Sequence, residues 1–122
     1  MTRILVRLIT RDDAEQAAAV DAFVERGAWV SQLVLMETVW VLSSFYGRSR
    51  IETIKAVEML LGHSSLVLQD PDTVAAALDH YRSSQSPEFS DCLILEVARK
   101  HGHLPLGTFD RRFSRLLGVQ RV

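Results

Sequence analysis

The apolar pattern of this chain switches period repeatedly within 122 residues, and that switching restricts the folds open to it. Asp12 and Asp13 introduce AEQAAAVDAFVER, which reads as a helix with an acidic first turn and a stop at Gly27. Residues 29–33 are a short, bounded apolar run and predict a strand. An apolar helix is expected over 34–46, ending at Gly47, then an amphipathic helix over about 50–61, closed by Gly62. Residues 65–68 predict a second strand. Pro71 follows Asp70, an expected cap, and opens a helix over DTVAAALDHYRSS. A further helix is predicted to begin near Ser86-Pro87 or Ser90 and run to His101-Gly102. Residues 104–108 read as a strand, 111–117 as a last helical turn or two, and 119–122 as the closing apolar segment. Strands this short, alternating with helices of 10 to 15 residues, predict an α/β fold with a short parallel sheet. In such sheets chemistry gathers at the carboxyl ends of the strands.

Length and composition narrow the function classes. A chain of 122 residues fits one domain, residues 1–122, burying roughly two thirds of its unfolded surface. No apolar run approaches the roughly 18 residues of a membrane span, and the N-terminus lacks a signal-peptide pattern. One cysteine, Cys92, makes no intramolecular disulfide, so a reducing cytoplasm is the expected compartment. The net charge of −1 hides an asymmetry: residues 1–98 hold eight Lys/Arg against 14 Asp/Glu, while residues 99–122 hold six against one. That basic end carries Arg111, Arg112 and Arg115. It is either a solvated face or a surface for phosphate, which arginine binds in bidentate fashion.

Three carboxylates stand out. Glu37 is the only charge in LVLMETVWVL, so it is expected in or beside the buried face, where a carboxylate demands an arginine, a raised pKa or a cation. The plainer alternative places it at the rim of the helix. Asp91, in PEFSDCLILEVARKHG, falls in the first turns of a helix with apolar positions Leu93, Ile94, Val97 and Ala98, and Glu88 lies one turn earlier; capping would also explain it. Asp110, in LPLGTFDRRF, shares a strand face with Thr108 while Phe109 turns toward the core, unless Asp110 caps the next helix. Together they are hard oxygen donors without Cys or His partners, the set that suits Mg2+ or Mn2+. Two such ions roughly 4 Å apart activate water and hold the leaving oxygen of a phosphodiester.

Other candidates carry less. Cys92 has no base assigned to it and reads as a core cysteine. His101 and His103 with Glu96 lack a second ligand pair for zinc. Asp12 and Asp13 read as caps rather than an acidic pocket, and no Gly-rich phosphate loop is present. Trp29 and Trp40, in apolar surroundings, are assigned to the core or a dimer interface rather than to base stacking.

LVLMETVWVL, EFSDCLI and GTFDRRF, in this order and at these separations, resemble the motifs of PIN domains, specifically the VapC toxins of toxin–antitoxin pairs. LVRLITRDD resembles the segment that follows that family's first motif, so the likeness covers nearly the whole chain. The resemblance implies a three-layer α/β/α fold and a Mg2+- or Mn2+-dependent endoribonuclease, a cytoplasmic homodimer held inactive by a VapB-like antitoxin. Glu37, Asp91 and Asp110 match its acidic metal ligands, Thr108 the hydroxyl residue beside the last Asp, and Glu88 an auxiliary acid. Family members begin with a buried strand ending in Asp-Thr-Asn, where this chain has Met1-Thr2-Arg3. The first acidic ligand and the central strand are therefore expected to be absent, either because the natural start lies a few residues upstream or because residues 2–9, which are β-compatible, are drafted into the strand's place. Two functions follow from the resemblance: an RNA-hydrolysing toxin, or a catalytically silent PIN-like module that binds an antitoxin or RNA without cutting.

Overall fold

Residues Thr2–Thr10 form a helix, α1, in the computed structural model, which describes residues 1–84 and 87–122. Neighbours Leu5 and Val6 are buried together with Leu8, while Arg3 is exposed. Burying adjacent residues suits a 3.6-residue period and not the alternation of a strand. The alternative that residues 2–9 replace a central strand is thereby overturned. The chain divides into two compact units, Met1–Pro71 and Asp72–Val122.

In the first unit, α1 ends where Arg11 adopts a left-handed backbone, φ 51°. Asp13 accepts the Gln16 backbone N–H at 3.0 Å and so caps α2, Ala14–Glu25. Gly27, φ 92°, turns the chain into β1, Ala28–Val30. This strand ends earlier than residues 29–33 suggest, because the Ser31 hydroxyl accepts the Val34 N–H and starts α3, Gln32–Ser44, two residues ahead of expectation. Helix α4, Arg50–Gly62, starts at a reciprocal cap: Glu52 N–H donates to Ser49 Oγ and Ser49 N–H to the Glu52 carboxylate. Gly62 is its last residue rather than a stop before it, with extended His63 as cap. Strand β2, Leu66–Leu68, runs parallel to β1, pairing Ala28 with Leu66 and Val30 with Leu68. Val30, Leu66 and Leu68 face inward while Trp29 and Val67 face out. Leu5, Leu35, Leu42, Val57 and Leu60 fill the core.

In the second unit, α5, Pro71–Ser83, begins at the predicted proline, after Asp70 at φ 46°. It buries Val74, Ala77, Leu78 and Tyr81. The next helix, α6, is Phe89–Lys100; Ser86, one of its expected starts, lies outside the described residues. Tyr81 meets Phe89 edge to face, ring centroids 5.9 Å apart. Strand β3, Leu106–Thr108, is shorter than residues 104–108 and pairs in parallel with β4, Val119–Arg121. Between them a single 3-10 turn, Phe113–Arg115, stands within 111–117, which reads as a helical turn or two.

The mixed α/β class with short parallel sheets is as expected. The parallel pairs are β1 with β2 in the first unit and β3 with β4 in the second. No described helix is long and apolar enough to cross a membrane.

Candidate functional site

In the first unit, Glu37 sits on the exposed side of α3, flanked one turn away on either side by exposed Leu33 and Trp40. The buried side is Leu35, Thr38, Val39 and Leu42. The expected burial of Glu37 is thus corrected. A helix apolar on every side does not reveal by periodicity which side faces the core. Glu37 has no hydrogen bond or ion pair among the described residues, so no fold requirement holds a carboxylate there.

In the second unit the carboxylates hold backbone. Asp91 Oδ2 accepts the Glu88 N–H at 3.1 Å, and Glu88 accepts the Asp91 N–H in return, making a capping box at the start of α6. Asp110 Oδ1 accepts the N–H groups of Arg112 at 2.8 Å and Phe113 at 3.2 Å, ordering the 3-10 turn. The Asp110 N–H in turn donates to Thr108 Oγ1 at 3.0 Å, so the pairing of Thr108 with Asp110 runs through the backbone. Phe109, expected in the core, is 83% exposed, because β3 ends at Thr108 and strand alternation ends with it; Phe113 takes the buried place. Arg111, Arg112 and Arg115 are exposed around this turn.

The buried acid of this unit is Glu96, 8% exposed. Its Oε1 lies 2.7 Å from His80 Nε2 and 3.4 Å from Arg99 Nε, and Arg99 Nη2 donates to the Leu117 carbonyl at 3.0 Å. Glu96 therefore ties α5, α6 and the approach to β4 together and is not an open ligand beside His101 and His103. Cys92 is fully buried, as a core cysteine should be.

As donors, Glu37, Asp91, Asp110 and Glu88 offer hard oxygens suited to Mg2+ or Mn2+, and the cap bonds of Asp91 and Asp110 each engage one oxygen, leaving the other outside them. Among the described residues, no three His, Cys, Asp or Glu side chains gather closely enough to hold an ion.

Two features escaped sequence reasoning. Trp29 and Trp40 are not core residues but exposed, and Trp40 meets Phe45 edge to face at 5.6 Å. A groove of about 940 Å3 opens beside α1, α2 and the end of α3, with Arg3 and Arg7 in its lining. The available signals were Arg3 and Arg7, four residues apart on an apolar helix, and Trp40, three after Glu37.

The family model for the PIN domain matches residues 2–118. No curated protein and no solved structure matches the chain.

Proposed function

Because the chain belongs to the PIN domain family, in general metal-dependent nucleases that bind RNA, we propose that it is a ribonuclease of the VapC-like toxin type, partnered by a VapB-like antitoxin and working as a homodimer in the cytoplasm. Glu37, Asp91 and Asp110 would hold Mg2+ or Mn2+, with Glu88 as an auxiliary acid. The ion, when bound, supplies an activated water and positive charge at the leaving oxygen. The carrying observation is the turn after β3. Two backbone N–H groups fix one Asp110 oxygen, Thr108 fixes its amide, and three exposed arginines follow. Arg111, Arg112 and Arg115 then bind the RNA phosphates beside that carboxylate.

The test is RNA incubated with Mn2+ and either the protein or its Asp91→Asn variant. The variant is expected to cut at least ~10^3-fold more slowly, as loss of a catalytic group commonly causes; equal cleavage by both sinks the reading. One observation favours a second reading, a silent module that binds antitoxin or RNA without cleavage: Asp91 and Asp110 each serve a cap, which explains them without a metal. Calorimetry separates the two, since absence of saturable Mn2+ binding at millimolar metal supports the silent module.

A further inference from the structure

We infer that the exposed face of α3 and the groove beside it form a stacking track for unpaired RNA bases, with Trp40 one turn beyond Glu37. This rests on the ribonuclease reading and deepens it by naming residues that contact the substrate.

Charge selects an anionic occupant. The charged residues lining the groove are Arg3 and Arg7, and no carboxylate lines it. Arg7 is fixed and partly neutralised: its Nη1 donates to the Tyr46 hydroxyl at 2.6 Å and lies 3.6 Å from Asp12, and its Nε donates to Gln16. Arg3 is exposed and has no hydrogen bond or ion pair among the described residues. The open Arg3 guanidinium, beside an Arg7 held in place, suits phosphate.

Ring geometry selects a flat one. Phe45 and Tyr46 line the groove. Phe45 is 74% exposed and stands edge to face with Trp40, which is 58% exposed, so the aromatic surface continues out of the groove along α3. Trp40 follows Glu37 by three residues on the exposed side, a spacing that puts side chains about 5–6 Å apart at Cβ. From Glu37 to Phe45 the helix rises about 12 Å, a span of a few nucleotides. Rings left in water beside a candidate ligand mark a contact surface, and every base offers a face to stack on them. A duplex hides those faces, so the occupant is single-stranded. An acidic peptide would answer Arg3 and Arg7 equally well, but its carboxylates offer no flat face to Trp40 and Phe45. Glu37 repels phosphate, so the phosphate contacts of the track are expected at its Arg3 end.

The experiment uses the full chain carrying Trp29→Phe, which leaves Trp40 as its one tryptophan, and Asp91→Asn to prevent cleavage. Oligouridine with Mn2+ is expected to quench Trp40 fluorescence saturably, and a duplex of equal length to leave it unchanged. Trp40→Ala should weaken binding of labelled oligouridine at least tenfold by anisotropy, with Trp40→Phe keeping most of it and Arg3→Ala lowering the salt dependence. Helical circular dichroism confirms that these surface variants fold. Undiminished binding by Trp40→Ala overturns the inference. So does quenching by a glutamate-rich peptide but not by RNA, or a Trp40→Ala variant that loses self-association in sedimentation while binding RNA normally. Trp40 quenching by RNA without cleavage by the chain that retains Asp91 would keep the track and remove the nuclease reading. Cleavage that Trp40→Ala leaves untouched would do the reverse.

Discussion

The candidate carboxylates of the two units differ in what they hold. In Asp72–Val122, Asp91 and Asp110 each accept backbone N–H groups at the start of a helix or turn, and Glu96 is buried against His80 and Arg99. In Met1–Pro71, Glu37 stands exposed on an apolar helix with nothing to hold. An acid with a folding role explains itself without function. An acid placed between Leu33 and Trp40, where the helix gains nothing from it, asks for a function.

Removing core side chains sets the scale for this contrast. Leu42→Ala in the first unit and Phe89→Ala in the second are each expected to cost about 2–5 kcal/mol in urea unfolding, since both side chains are fully buried. Next comes Glu96→Ala, at roughly 1–3 kcal/mol, because it strips a buried acceptor from His80 and Arg99 and loosens the Arg99 contact to Leu117. A cost near zero would show that the buried acid of the second unit does no more structural work than Glu37.

Asp110→Ala is expected to cost about 1 kcal/mol, the usual loss for a capping side chain, and Asp110→Asn much less, because an amide oxygen still accepts the Arg112 and Phe113 N–H groups. Both variants are expected to lose RNA cleavage. The pair thus separates the two roles of one carboxylate: stability follows the cap, activity follows the charge.

How much of this could be read beforehand depends on how local each signal is. Asp13 as a cap, Pro71 as a helix start and the helix-to-turn switch at Gly27 were readable, because each acts within a few residues of itself. The exposed side of α3 was not, since Leu33, Met36, Trp40 and Val41 make every face apolar and only packing decides which is buried. Phe109 was misplaced for a related reason: alternation predicts a face only while the strand lasts, and β3 stops one residue short of it. Asp91 and Asp110 were identified with capping as the competing explanation, and the structure shows that they cap. Capping leaves an oxygen of each carboxylate outside the cap bonds, so the structural role does not displace the proposed one.

Acid pH offers a milder test of the same contrast. The backbone and hydroxyl of Ser49, with Arg48, hold the Glu52 carboxyl below its ordinary value of 4.5. A lowered native pKa contributes stability above the unfolded value, and that contribution is lost as pH falls through the native one. The wild type is therefore expected to lose more stability between about pH 5 and 3 than Glu52→Gln does, by chemical denaturation at fixed salt. Equal slopes would remove the reciprocal cap at α4.

Glu37→Gln has the smallest expected effect on folding and is the sharpest test of the comparison. The substitution keeps size and shape, and the site is exposed and unpaired, so the unfolding free energy should stay within about 0.5 kcal/mol of wild type. If Glu37 holds the ion, cleavage nevertheless falls as far as it does in Asp91→Asn, and calorimetric Mn2+ affinity falls with it. An unchanged rate would leave Glu37 an exposed acid without a role and restrict the chemistry to the second unit. Activity lost at full stability is a result that neither capping nor packing can produce, and among the three carboxylates only Glu37 is free of a structural bond that would confuse it.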